Sequence, residues 1–376
     1  MMKAPFMIFL LLVCGGTIGL AACNGQPPAT DPSPETAAAA TPLPTATVDM
    51  MAEVENEAET ELSTAVPTPT VNTNEPIGDD EVTEIMYVLS DEPPARVRAA
   101  LARVVATNDQ RYVAVLIDLY RFNQLGLVRS FPREEYVEAL ESLTGQPLGL
   151  SWPAWVEWYG QTDLEPPPGF TAWKGQKLAR FDPGFGEFLR GDHFSRIRVE
   201  EIQWGGILVD GIPPLDNPPT LPAAEADYLD AHDAVFGLYV NGEARAYPLR
   251  ILDWHEMAND VVGGVPVSLA YCTLCGAAIA FDSRREDGRT FTFGSSGFLY
   301  RSNKLMYDRQ TLTLWNQFTG EPVLGRLAAQ EDLRLNLLPV VLTTWADWQA
   351  QHPDTLVLDV NTGFPRDYQA GAAYGD

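Results

Sequence analysis

The sequence predicts an α+β protein, with a β-rich main domain preceded by a small α-helical subdomain and a disordered tether. Three observations carry this expectation. Apolar residues recur at helical spacing in segments between residues 94 and 159. From residue 169 onward, runs of four to eight strand-forming residues alternate with Gly, Pro and Asn turn signals. Residues 24 to about 80 are so rich in Pro, Ala, Thr and Glu that they cannot bury enough apolar surface to offset their ordering entropy.

Residues 1–22 read as a signal peptide: Lys3, an apolar run from Phe6 to Val13, then a small-residue cleavage region. The run is no membrane span, because crossing the hydrocarbon core takes about 20 apolar residues and Gly15, Gly16 and Gly19 interrupt it. It ends in Leu20-Ala21-Ala22-Cys23, which resembles a lipobox, where the Cys23 thiol accepts a diacylglycerol and becomes the first residue of the mature chain. The plainer alternative is ordinary cleavage near Ala22 with Cys23 a spectator. The lipobox is preferred because a small-residue pair directly precedes the cysteine and a tether directly follows it. An extracytoplasmic protein, lipid-anchored to the cell membrane, is therefore expected, with the membrane face left open.

The tether, residues 23–80, includes Thr41-Pro42-Leu43-Pro44-Thr45 and Pro67-Thr68-Pro69-Thr70. Between Lys3 and Arg96 lie 15 Asp and Glu and no Lys or Arg, which supplies −15 of the formal net charge of −26. This balance argues against nucleic acid or anionic headgroups as partners through a basic face. Solubility at an exposed surface accounts for it.

The helical subdomain is expected over residues 81–165. Val97, Leu101, Val104 and Val105 predict a helix from about Pro94 to Ala106, and Val113, Leu116, Ile117 and Tyr120 another from Asp109 to Phe122. Two shorter helices are expected from Pro132 to Leu143 and from Pro153 to Tyr159, with Pro132 as a first-turn residue. Packing, or contact with a protein partner, is the role expected of this part.

Residues 169–376 are expected to form one β-rich domain, long enough for a substantial core. Val235 to Val240, then Asn241-Gly242, then Glu243 to Tyr247 is a strong hairpin signature. Val265 to Tyr271, Ala277 to Phe281, Thr290 to Phe293 and Thr355 to Val360 are further strand candidates. Helices are expected from Pro248 to Val261 and from Thr344 to Gln351.

Cysteine use singles out one locus. Of four cysteines, Cys14 would leave with the signal peptide and Cys23 would carry lipid, so Cys272 and Cys275 remain as the thiols of the mature chain. They lie in Tyr271-Cys272-Thr273-Leu274-Cys275-Gly276. This spacing can turn both sulfurs toward one metal ion, or form a reversible disulfide. In thioredoxin-like proteins such a pair opens a helix, whereas here Gly276 to Asp282 reads as a strand, which favours a metal knuckle. A structural disulfide is the third alternative. Further donors would have to come from elsewhere, and His255 in Trp254-His255-Glu256 lies 17 residues before Cys272. A lone His is more often a surface or core residue. His232, His352 and Met306 are weaker candidates, and Glu256 could orient His255 or handle protons. Two Cys and a His would suit copper(I) or zinc.

The motifs as a set are recognisable. Residues from about 170 to 360 resemble the bacterial and archaeal family known as domain of unknown function 3179. The matching stretches are Trp204-Gly205-Gly206-Ile207, Asp210-Gly211-Ile212-Pro213-Pro214, Arg245-Ala246-Tyr247-Pro248, Trp254-His255-Glu256 with Asn259-Asp260, and the segment from Tyr271 to Gly276. Phe293-Gly294-Ser295-Ser296-Gly297, Ser302-Asn303-Lys304-Leu305-Met306-Tyr307-Asp308 and Leu314-Trp315 complete them. The family pattern usually has Pro where this chain has Thr273. The resemblance implies an extracytoplasmic setting and brings no established activity.

These motifs add polar groups that a packed core does not ask for. Arg301, Asn303, Lys304, Asp308, Arg309, Trp315, Asn316 and Gln317 crowd together, as a binding cleft or a buried hydrogen-bond network would require. Three functions are thus expected in order: a copper or zinc site on Cys272, Cys275 and His255; thiol-disulfide exchange with Cys272 attacking; or a non-catalytic binding module with a structural disulfide and an unidentified small-molecule ligand. No phosphate loop, dinucleotide fingerprint or Gly-x-Ser-x-Gly elbow is found.

Overall fold

The computed structural model describes residues 75–285 and 287–374. The expected signal peptide, Cys14, Cys23 and the tether up to residue 74 lie outside the described residues. The fold is α+β, as expected.

Seven helices come first: α1 (Asp79–Asp91), α2 (Pro94–Ala106), α3 (Tyr112–Gln124), α4 (Arg133–Thr144), α5 (Trp152–Tyr159), α6 (Phe170–Leu178) and α7 (Pro183–Phe188). Helix α1 was not among those expected, although its buried Val82, Ile85, Met86 and Leu89 follow helical spacing and Asp79, Asp80 and Glu81 suit the positive end of the helix dipole. Helix α3 is buried on nearly every side, from Tyr112 to Tyr120, because the other helices pack around it. Helices α6 and α7 continue the helical part past the textural change at Gly169. Asp182 caps α7 through Gly184 N–H at 2.8 Å, and its second oxygen accepts from Val209 N–H at 3.1 Å.

The strands follow: β1 (Ile202–Trp204), β2 (Leu215–Asp216), β3 (Thr220–Pro222), β4 (Ala234–Val240), β5 (Glu243–Pro248), β6 (Met257–Val262), β7 (Val265–Cys272) and β8 (Ala277–Asp282). Next come β9 (Phe293–Tyr300), β10 (Asn303–Asp308), β11 (Leu314–Asn316), β12 (Pro322–Leu324), β13 (Asn336–Leu338), β14 (Val340–Thr344) and β15 (Leu356–Leu358). Helix α8 (Leu249–His255) joins β5 to β6, and α9 (Trp345–Gln351) follows β14.

Three five-stranded sheets result, with orders β1-β9-β10-β11-β12, β13-β8-β7-β6-β2 and β14-β4-β5-β15-β3. For convenience they are called the first, middle and last sheets. The helices share one core with the first sheet, where Phe185 stacks on Phe298 at 4.6 Å. A second core, including Phe293, Met306, Trp315, Met257 and Ala270, lies between the first and middle sheets. A third, including Leu269, Tyr271, Leu238 and Tyr247, lies between the middle and last sheets. Trp345 and Trp348 of α9 cover the outer side of the last sheet.

Side-chain alternation along strands explains this layering. In β7, Val267, Leu269 and Tyr271 face the last sheet, while Ala270 packs toward the first. Cys272, two residues on, shares the face of Ala270. The expected Asn-Gly hairpin forms between β4 and β5, with both Asn241 and Gly242 at positive φ.

Two expectations are corrected. The helix expected from Pro248 to Val261 ends at His255, because Glu256 adopts a left-handed φ of 53° and residues 257–262 become β6. Of the expected strand from Thr290 to Phe293, Thr290 makes only an isolated bridge, and the strand proper begins at Phe293.

Candidate functional site

Cys272 closes β7, and a tight turn carries the chain into β8, where Ala277 pairs with Cys272. Cys275 N–H donates to Cys272 C=O at 3.2 Å, and Gly276 takes the left-handed conformation (φ 61°) that starts the return strand. A bond of this i to i+3 kind holds the two Cα atoms within about 7 Å, compatible with the roughly 4.4–6.8 Å that a disulfide spans. Both cysteines are free thiols, and their surroundings differ: Cys272 is buried and Cys275 exposed. Burial, followed by a hydrogen bond to the Cys275 side chain, pushes the Cys272 thiol up to about 11, against which backbone N–H groups of Lys304 and Cys275 act in the opposite direction. The exposed sulfur of Cys275 is thus the more accessible of the two, whereas the sequence pointed to Cys272 as the attacking thiol.

The first sheet supports the exposed thiol. Cys275 Sγ donates to Ser302 C=O at 3.5 Å and accepts from Asn303 Nδ2 at 3.4 Å. Asn303 Nδ2 also donates to Gln317 Oε1 at 3.1 Å, while Asn303 Oδ1 is buried with no partner among the described residues. Gln317 Nε2 in turn donates to Ala270 C=O at 2.8 Å and Ala277 C=O at 3.1 Å, one on each strand leading to the cysteine turn. The turn from β9 to β10 is made by Arg301 and Ser302, both at positive φ without a glycine, a conformation that costs about 1 kcal/mol or more per residue. The Arg301 guanidinium is held by both oxygens of Glu201.

On the other side, Cys272 lines a cavity of about 200 Å³ together with Glu256, Thr273, Leu274, Ser295 and Lys304. Lys304 is 4 % exposed, and its Nζ reaches Glu256 Oε2 at 3.1 Å and Glu256 C=O at 3.3 Å. Thr273 Oγ1 donates to Glu256 Oε1 at 2.8 Å, a bond that the proline usual in the resembling family could not make. The segment from Gly205 to Ile212 lies over β9 and lends Gly205, Ile207 and Ile212 to the cavity wall. Asp210 pins it there: its N–H donates to Ser295 C=O at 2.8 Å, its Oδ1 accepts from Ser295 N–H at 2.9 Å, and its Oδ2 accepts from Tyr307 Oη at 2.6 Å. Gly297 allows the approach, since a Cβ there would lie 2.6 Å from Ile207 O.

His255 lies elsewhere. Its Nδ1 is 2.7 Å from Pro213 C=O and its Nε2 2.6 Å from Tyr368 Oη. Burial pushes its imidazole below the usual range, so the neutral ring donates through Nδ1 to the carbonyl and accepts the tyrosine proton at Nε2. With both nitrogens engaged, His255 has none to offer the sulfurs in this arrangement. Glu256, its neighbour, turns the opposite way into the cavity. Among the described residues no three His, Cys, Asp or Glu converge as a metal set. Met306 is buried between sheets, His232 is exposed, and His352 packs on Trp348 at 4.2 Å.

The expected polar cleft divides into three. Asn303, Lys304 and Gln317 surround the cysteine turn. Asp308 and Trp315 bond to each other in the core, Nε1 to Oδ2 at 2.9 Å. Arg301 lines a separate surface cleft of about 520 Å³ with Trp152, Glu157 and Glu201. Ser295, Thr273 and Asp210 were not expected at the site; the Gly294-Ser295-Ser296-Gly297 and Asp210-Gly211 motifs were the available signal.

Residues 209–375 match the model of a family described as a protein of unknown function, DUF3179. The segment belongs to this family. No curated protein and no solved structure matches the chain. The DUF3179 match starts at 209 rather than near 170, so Trp204-Gly205-Gly206-Ile207 lies outside it, although Gly205 and Ile207 wall the cavity. The cysteine turn, Glu256, Ser295 and Lys304 all fall inside the DUF3179 segment, so it contributes the reactive and charged groups of the site.

Proposed function

We propose that this chain is a thiol-disulfide redox protein in which Cys275 attacks and Cys272 resolves. The observation that supports it best is the pairing of an exposed thiol with a buried one across a single turn. In the forward direction the Cys275 thiolate attacks one sulfur of a partner disulfide. The partner S–S bond breaks, a first thiol leaves, and a mixed disulfide forms. Cys272 then gives up its proton and attacks Cys275 Sγ, releasing the second partner thiol. Two electrons pass to the partner, and the pair is left as a disulfide.

A redox titration against defined dithiol and disulfide mixtures, followed by alkylation and mass measurement, tests this. A reversible two-electron couple that disappears in Cys275→Ser supports it, and its absence removes it.

A second reading, copper(I) held by the two thiolates, is favoured by the backbone N–H groups of Cys275 and Lys304 that act on Cys272. Copper(I) needs no third donor, whereas tetrahedral zinc would need donors beyond the pair. Elemental analysis after copper(I) loading, wild type against Cys272→Ser, separates this from the redox reading.

The setting belongs to the same proposal: outside the cytoplasm, at a membrane surface, anchored through Cys23. Leu20-Ala21-Ala22-Cys23 and the tether composition support it. Release of Cys23→Ser protein from the membrane fraction is expected, and its retention would count against the anchor.

A further inference from the structure

We infer that the cavity between Cys272 and Lys304 is a binding site for a small, uncharged aliphatic molecule bearing a carbonyl oxygen. This goes beyond the redox reading and does not depend on it. Every stretch of the cavity wall comes from a different part of the chain: the loop over β9, the end of α8, the cysteine turn, β9 and the start of β10. Five segments converge on a partly open space of about 200 Å³, roughly seven waters' volume, which suits a small ligand rather than a peptide or nucleotide.

The chemistry of the wall selects the ligand. Ile207, Ile212, Leu274, Phe298 and Leu299 are apolar and ask for an aliphatic body. The polar end is rich in donors. Lys304 has three N–H bonds and two acceptors, both on Glu256, so one N–H has no partner among the described residues. The hydroxyl of Ser295, which also lines the cavity, has no partner among them either. Both can answer an acceptor oxygen.

Charge decides between a carboxylate and a neutral carbonyl. Glu256 already neutralises Lys304, with side chains 11 % and 5 % exposed. A bound carboxylate would add a negative charge that no free cation of the wall answers, since Lys304 is already paired with Glu256. A cationic amine would bring donors to donors. An amide or ester oxygen meets both conditions.

The test is titration of the full-length chain with isovaleramide, isovalerate and isopentylamine, followed by calorimetry and ligand-observed magnetic resonance. Saturable binding of isovaleramide is expected, with isovalerate and isopentylamine at least tenfold weaker. Lys304→Met should weaken isovaleramide binding roughly tenfold or more, the scale of one hydrogen bond from a charged donor. Leu274, 76 % exposed, lies at the mouth, so Leu274→Trp obstructs entry without disturbing the core. It keeps the test decisive should Lys304→Met fail to fold. No saturable binding of isovaleramide, equal binding of isovalerate, or unchanged binding in Leu274→Trp would each overturn the assignment.

Discussion

Asn303 donates from Nδ2 to the sulfur of Cys275 at 3.4 Å, coupling the first strand residue after the Arg301-Ser302 turn to the exposed thiol. The same amide group reaches Gln317, which grips both strands of the cysteine turn. Replacing Asn303 by Asp sets a carboxylate beside the sulfur and disfavours its thiolate. Alkylation of Cys275 by iodoacetamide at neutral pH is expected to slow severalfold in Asn303→Asp, measured by mass spectrometry.

The two thiols should also react in a fixed order. With the Cys272 thiol pushed up to about 11, only about one molecule in a thousand carries its thiolate at pH 8. Brief alkylation at that pH is expected to label Cys275 almost alone, and peptide mapping reads the ratio. Preferential labelling of Cys272 would contradict the assignment of attacking and resolving sulfurs.

Lys304 and Glu256 form a buried pair, so removing one partner strands the other. Glu256→Gln or Lys304→Met is expected to cost about 3–5 kcal/mol, read as a lower denaturant midpoint. The double variant should recover part of the loss, because neither charge is then left alone.

Gly297 combines a left-handed φ of 80° with the close approach of Ile207. Gly297→Ala is expected to destabilise by about 2 kcal/mol or more. It should also loosen the segment over the cavity, read as faster hydrogen exchange at Ile207 and Asp210.

His255 makes stability depend on pH. Burial keeps the folded imidazole below its usual range, while the unfolded chain takes up a proton below about 6.5. The unfolded state then binds more protons, so the contribution is complete above about pH 6.5 and is lost as the pH falls below it. The melting temperature is expected to drop between pH 7 and pH 5, and less steeply in His255→Gln.

Much of the architecture was legible in local pattern. Asn241-Gly242 demands positive φ at two successive positions and so marks its hairpin. The period of Val97, Leu101 and Val104 marks α2 in the same way. The helical pattern of Pro248 to Val261 stops at His255 because the break is a left-handed Glu, a residue type without the glycine signal that normally marks such a reversal. Helix α1 had the helical period but adjoined the acidic tether, whose composition masked it.

At the site, the sequence by itself determined that Cys272 and Cys275 share one tight turn entering a strand, because two-residue spacing and Gly276 are local facts. It also marked Asn303, Lys304 and Gln317 as polar groups needing partners. Which groups meet was decided by tertiary structure. His255 and Glu256 are adjacent in the chain, yet the helix end and the left-handed turn send one toward Tyr368 and the other toward Lys304. The exposure that ranks Cys275 above Cys272 depends on strand alternation meeting a second sheet, and no spacing along one strand reveals what the facing sheet will cover.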